Sequence, residues 1–171
     1  PEMGLPADPP QADLSASPGD DLPLETEQAD VWDQLPFLVE SEPDFFNPSD
    51  IPTLLPVSGY KTTEFQKGGW YVRRRHLGID IAAEKGTRIR AAGTGYVIFS
   101  GWTPDYGNLI IINHNNGYYT YYGHASRLIV EIGDSVKKGD VVGLVGSSGT
   151  STAPHLHFEI WKDGEPLDPE R

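Results

Sequence analysis

The chain has no cysteine among its 171 residues. Disulfides are therefore excluded, and so are the cysteine-ligated metal modules that hold many small domains together. Lys and Arg are missing from residues 1–60, which carry thirteen Asp and Glu; the first base is Lys61. Residues 61–171 hold the other twelve acids and all thirteen bases, formally +1, so the net charge of −12 belongs to the N-terminal arm and not to any site further on. No apolar run approaches the roughly 20 residues of a membrane-spanning helix, and no signal peptide is visible. A chain that begins at Pro1 rather than Met is expected to be a processed or truncated one, with room for a signal or a membrane anchor upstream. Histidine is scarce too, with five in all, so the way those five are placed carries information.

What is present divides the chain in two. Residues 1–50 form an acidic, Pro-rich arm or linker, and eleven of the fifteen prolines lie at or before Pro56. Residues 1–30 have too few apolar side chains to build a core and read as extended or disordered. One stickier stretch, residues 31–39 followed by Phe45 and Phe46, is a candidate for docking on the domain, where Glu42 or Asp44 would reach a metal and inhibit. From residue 51 to residue 171 the texture is that of a folded domain. Strand-like runs at 87–91, 95–99, 109–112, 118–122, 128–132, 141–145 and 155–161 follow one another, punctuated by Gly, Asn and Asp about every ten residues. Asn115-Asn116-Gly117 reads as a hairpin turn. No stretch sustains an apolar period of 3.6. The expected fold is all-β, antiparallel sheets folded as a β-sandwich or barrel-like duplicated motif, with the acidic arm extended beside it.

Two short segments carry chemistry. In Pro154-His155-Leu156-His157-Phe158-Glu159-Ile160 polar and apolar residues alternate, so His155 and His157 project from one face of a strand while Leu156, Phe158 and Ile160 face a core. His76-Leu77-Gly78-Ile79-Asp80 supplies an imidazole and a carboxylate four residues apart, and Gly78 permits the chain to bend them round one ion. Together these offer three ligands of nitrogen, nitrogen and oxygen type, a set that suits Zn²⁺ with one open position better than Ca²⁺ or Mg²⁺. The helical His-Glu-x-x-His signature is absent, so no glutamate is pre-placed as general base. His155, or His124 after the aromatic run Tyr118-Tyr119-Thr120-Tyr121-Tyr122-Gly123, is the alternative, because imidazole titrates near neutrality. Glu159 shares the face of His155 and His157 and reads as an orienting residue. His114 reads as a strand-end or turn residue. The glycine-rich stretch 143–151 lacks a Gly-Lys-Ser/Thr and reads as a loop delivering the His155 strand, not a phosphate loop. Arg73-Arg74-Arg75 is too short a basic run, in a near-neutral domain, to indicate nucleic acid.

Several segments, taken in order, resemble the lysostaphin/LytM-type zinc metallopeptidases of bacterial peptidoglycan. They are His76-Leu77-Gly78-Ile79-Asp80-Ile81-Ala82-Ala83, Gly86-Thr87, Ala91-Ala92-Gly93-Thr94-Gly95-Tyr96-Val97 and Tyr106-Gly107-Asn108. Tyr122-Gly123-His124, Gly133-Asp134-Ser135-Val136-Lys137-Lys138-Gly139-Asp140 and the run from Gly149 to Glu159 complete the pattern. The resemblance implies that His76, Asp80 and His157 bind one zinc ion and that His124 and His155 assist catalysis. It implies an endopeptidase acting on cross-bridge or stem peptides of peptidoglycan, in an exported or envelope location. Tyr122, Asn108 and Arg75 are candidates for contact with that substrate. The chain departs from the family pattern at Phe65-Gln66-Lys67-Gly68-Gly69-Trp70-Tyr71-Val72-Arg73-Arg74-Arg75, which bears on one groove wall and hence on substrate choice. The competing reading is a catalytically silent domain of the same type that activates another cell-wall hydrolase. A biotinyl or lipoyl carrier is remote, since no lysine stands at a hairpin tip in the required sequence.

Overall fold

The computed structural model describes residues 47–68 and 76–171. The acidic arm with Glu42 and Asp44, its proposed docking patch, and Arg73, Arg74 and Arg75 lie outside the described residues. Ten strands form the domain: β1 (Tyr60–Thr63), β2 (Ile79–Ala82), β3 (Arg88–Arg90), β4 (Gly95–Thr103), β5 (Gly107–Asn113), β6 (Tyr118–Leu128), β7 (Ser135–Val136), β8 (Val141–Val145), β9 (His155–Lys162) and β10 (Glu165–Leu167). Among the described residues the one helical element is a 3₁₀ turn, Pro48–Asp50, capped by the Asn47 side chain on the Ser49 N–H. None of them forms a helix long and apolar enough to cross a membrane. The all-β, antiparallel expectation is met.

All the strand pairs are antiparallel, in the order β1-β2-β9-β6-β5-β4-β7, with β10 on β9 and with β3-β8 joined to the far end of β6. The eleven-residue β6 is the hub. Its first half pairs with β5 and β9, and its second half turns to β8 through a register shift between Ala125 and Arg127. The alternation read in β9 holds: Leu156, Phe158 and Ile160 join the core with Ile79, Ile81, Ile110, Ile112 and Tyr122. Fully burying a side chain of the size of Phe158 stabilises by about 2–3 kcal/mol. The opposite face of β9 is covered as well, with His157 and Glu159 buried, so this strand carries its polar residues into the interior and each of them needs a partner.

The hairpin turn at Asn115-Asn116-Gly117 forms between β5 and β6, with φ of 64°, 48° and 75° in turn. Asparagine and glycine tolerate that left-handed conformation, which most side chains resist. The strand expected over 128–132 does not form as one. β6 ends at Leu128, Ile129 and Ile132 are exposed, and the chain turns where the Glu131 N–H bonds the Asp134 carboxylate and Gly133 takes φ 93°. An apolar run followed by Gly-Asp reads as strand locally, but the turn chemistry that carries the chain to β7 wins.

Candidate metal centre

Register brings the two sequence segments together. In the β2–β9 ladder Asp80 stands directly opposite His157, and Ala82 opposite His155. On the other side of β9, His157 is paired with Gly123. A Cβ at Gly123 would lie 3.0 Å from the Tyr106 ring, so the glycine is what admits that ring beside His157. His76 arrives on an isolated bridge with Gln66, just before β2. Gly78 is needed there for close approach and not for a bend: a Cβ would meet the Phe158 carbonyl oxygen at 2.2 Å.

The three ligand atoms converge. His76 Nε2 lies 3.1 Å from Asp80 Oδ1 and 3.1 Å from His157 Nδ1, and His157 Nδ1 lies 2.8 Å from Asp80 Oδ1. A tetrahedron with legs of ~2.0–2.1 Å has edges of about 3.3 Å, so the trio is spaced as ligands of one Zn²⁺ ion would be. Among the described residues, His76, Asp80 and His157 are the cluster able to hold a metal. The tautomers agree with this. His76 Nδ1 faces the Glu64 carbonyl at 2.9 Å, and a carbonyl only accepts, so Nδ1 carries the proton and Nε2 keeps a lone pair. His157 Nε2 faces the Glu159 carboxylate at 2.8 Å, which leaves the Nδ1 lone pair directed at the same point.

The remaining two imidazoles repeat the arrangement. His124 Nδ1 donates to the Ser148 carbonyl (2.8 Å) and His155 Nδ1 to the Ala153 carbonyl (2.8 Å). Their rings are 4.7 Å apart, His124 is 6.0 Å from the His157 ring, and His155 Nε2 is 3.8 Å from Asp80 Oδ1. His124 holds φ 63°, a left-handed backbone that costs a non-glycine residue of order 1–3 kcal/mol and concentrates at working sites. The loop that supplies both carbonyls is itself pinned: Ser148 Oγ accepts from the Asn108 N–H and donates to the Ala125 carbonyl, and the Thr150 N–H donates to the Asp105 carbonyl.

Charge explains the titration of these groups. Burial alone would raise Asp80, yet its bonds to His157 and His76 hold it well below the usual carboxylate range. Burial opposes a charge on His157, but Asp80 and Glu159 on either side of its ring push its pKa up to about 9. A site that draws a proton this strongly holds excess negative charge, and a cation at the same point competes with that proton. Burial, then the neighbouring imidazoles, lower His124, against the pull of the Ser148 carbonyl. Glu159, 1% exposed, is lowered against its burial by His157, Trp161 and Tyr106.

The structure thus brings together His76, Asp80, His157, His124 and His155. It does not bring the substrate candidates to this cluster as a set. Tyr122 is fully buried, and its hydroxyl accepts from the Ala92 N–H (2.8 Å) and lies 2.8 Å from Thr120 Oγ1. It is a core residue and not a groove wall, because its place on β6 turns it to the opposite face from His157. Asn108 spends its side-chain amide on the Ala125 carbonyl, tying β5 to the bulge of β6. Arg75 lies outside the described residues. Tyr106 and Trp161, neither of them a site candidate by sequence, are also parts of the centre; both donate to Glu159. Trp161 was legible, since it continues the alternation through 155, 157 and 159. Tyr106, 53 residues from Glu159 in the chain, was not.

A family model, Peptidase family M23, matches residues 74–169. The chain belongs to that family. The M23 domain is 46% identical over 96 residues to the DD-carboxypeptidase/endopeptidase Mpg of Neisseria meningitidis serogroup B, covering 56% of this chain and 22% of that protein. It is 35% identical over 96 residues to the murein hydrolase activator EnvC of Escherichia coli, covering 56% of this chain and 23% of that one. Among solved structures, the catalytic domain of the antimicrobial peptidase lysostaphin from Staphylococcus simulans superposes with a TM-score of 0.59 at 32% identity, over 66% of this chain and 90% of that one. The chain thus spans under a quarter of the length of these two curated relatives but nearly all of the lysostaphin catalytic domain.

Proposed function

We propose that this M23 domain is a zinc-dependent endopeptidase that hydrolyses peptide bonds of bacterial peptidoglycan, in a cross-bridge or a stem peptide. The observation that carries this reading is the set of four imidazoles. Each has one nitrogen tied to a carbonyl or carboxylate. The other nitrogen of His76, His157 and His155 faces Asp80 Oδ1 at 3.1, 2.8 and 3.8 Å, and the His124 ring lies 4.7 Å from that of His155. His76, Asp80 and His157 would hold the ion. Zinc bound there supplies Lewis acidity, letting water attack a peptide carbonyl at neutral pH. His124 and His155 present Nε2 to the same space. Between them they accept the proton of the attacking water and donate to the oxygen that gains charge, each worth about 10²–10⁴ in rate. Their Nδ1 bonds to Ser148 and Ala153 fix the ring orientation, so the imidazoles do not have to be ordered at the moment of reaction.

The division into an arm (1–50) and a catalytic domain (51–171), and an exported or envelope location, belong to the same reading. Support comes from the endopeptidase named among the relatives and from the similarity to the lysostaphin catalytic domain. A second reading draws on the identity to EnvC: a silent domain of this type that binds and activates another cell-wall hydrolase. The complete ligand set weighs against it. The deciding experiment incubates the zinc-loaded protein with sacculi of defined cross-link type and identifies the products by mass spectrometry. Cleaved muropeptides, lost on chelation and with His155→Ala, are expected. A zinc-loaded protein that releases nothing from any cross-link type, yet stimulates a second hydrolase, would establish the silent reading instead.

A further inference from the structure

Glu159 is the most buried carboxylate among the described residues, 1% exposed, and the proposed chemistry does not use it directly. One of its oxygens accepts from His157 Nε2 (2.8 Å) and from the Tyr106 hydroxyl (2.8 Å); the other accepts from the Trp161 indole N–H (2.6 Å). Among the described residues its one ion-pair partner is His157, the imidazole that faces Asp80 from its other nitrogen. No lysine or arginine is paired with it there. An ionised carboxylate this deep costs several kcal/mol unless positive charge compensates it.

We infer that Glu159, clamped by Tyr106 and Trp161, is the positioning residue of the metal centre. It fixes the tautomer of His157 and supplies the second negative charge that makes the loaded site neutral. The charges close: a divalent cation is balanced by Asp80 on the ligand side and by Glu159 behind His157. Without Glu159, a loaded ion with only Asp80 beside it would leave one uncompensated positive charge against a largely buried imidazole. The clamp is specific for a carboxylate. A glutamine could face His157 and Tyr106 with its oxygen only by setting its NH₂ against the Trp161 N–H. Turned over, it would donate to His157 Nε2, drive the ring proton onto Nδ1 and cover the lone pair that points at the metal position. This inference rests on the metal-site part of the proposed function and is independent of the bond that is cut.

The test titrates zinc into the metal-free protein against a chromophoric chelator, and records apo-protein melting and the visible spectrum of the Co²⁺ form. Glu159→Gln is expected to weaken zinc by about 10–100-fold and to shift the Co²⁺ bands, with some lowering of the apo melt as well, because glutamine cannot satisfy His157, Tyr106 and Trp161 together. Trp161→Phe, at a half-buried site, is expected to weaken zinc by about tenfold, the lower end of that range. A purely structural carboxylate predicts a lower apo melt with unchanged zinc affinity and unchanged Co²⁺ bands, and that result would overturn the inference. If Glu159→Gln does not fold, Trp161→Phe decides in the same way: unchanged affinity and unchanged Co²⁺ bands overturn it. A wild-type protein that takes up no zinc removes this inference and the metal site together. One that binds zinc but cuts no peptidoglycan removes only the substrate reading, since zinc titration of the variants still decides the role of Glu159.

Discussion

β6 passes through two histidine networks that use the same side-chain chemistry to opposite ends. At its start, Thr120 and Tyr122 meet His114, which is wholly buried; His114 Nδ1 donates to the Thr94 carbonyl (2.9 Å), and Nε2 lies 2.6 Å from Thr120 Oγ1. The network is closed: Thr120 Oγ1 sits between His114 Nε2 and the Tyr122 hydroxyl, which accepts from the Ala92 N–H. No buried polar side-chain atom of this network lacks a partner. Towards its end, the strand passes His157 and carries His124, where each ring has one nitrogen tied to a carbonyl or carboxylate and the other nitrogen of His157 faces Asp80. The difference is carboxylates. Burial, helped by the charge of Lys138, pushes His114 down to about 4, although its bond to Thr94 resists. Asp80 and Glu159 push His157 up to about 9 against the same burial. A closed neutral network stabilises a fold; an open one with surplus negative charge stores affinity for a cation.

The sharpest way to break this contrast is at the ligands. Asp80→Ala and His157→Ala are expected to weaken zinc retention by more than the ~100-fold that outer partners command and to abolish peptide release. Metal analysis after dialysis checks the first, and muropeptide mass spectrometry the second. Removing an imidazole that is not a ligand should separate the two quantities. His155→Ala and His124→Ala each lower turnover by about 10²–10⁴ while zinc content stays at one per domain; a parallel loss of zinc would merge their roles with those of the ligands.

The other network should answer to acid and not to metal. A folded pKa of about 4 against an ordinary value of 6.5 for His114 means that between those pH values the unfolded chain binds the extra proton. Stability contributed by neutral burial is therefore full above pH 6.5 and falls away as the solution is acidified towards 4. The loss is on the order of 3 kcal/mol. Thermal melts of the zinc-free protein, compared with His114→Gln, should show the shallower pH dependence in the variant. The smallest effect is expected from Tyr122→Phe, which leaves the Ala92 N–H without its acceptor and Thr120 with His114 alone. It should cost about 1–3 kcal/mol of stability and leave kcat/KM for a muropeptide unchanged. A large change in KM at unaltered stability would restore Tyr122 to the groove.

Much of this was legible one residue at a time. A period of two over residues 154–160 put His155, His157 and Glu159 on one face and Leu156, Phe158 and Ile160 on the other, and Asn-Asn-Gly announced the turn into β6. These are local properties, decided by whether successive side chains point the same way and whether a backbone tolerates positive φ. Tyr122 misled because strand parity does not say which face meets water when both faces of a sheet are covered. The expected strand over 128–132 misled because apolar content outweighed the Gly-Asp turn that follows it. The residue types able to bind a metal, and the all-β class, follow from the chain's own pattern. That Asp80 lies across from His157, that Gly123 makes room for Tyr106, and that three donors hold a buried Glu159 behind the ring depend on register between strands far apart in sequence. Local preference does not encode register; it is decided when the whole sheet finds the pairing that buries its apolar faces and leaves no interior polar group without a partner.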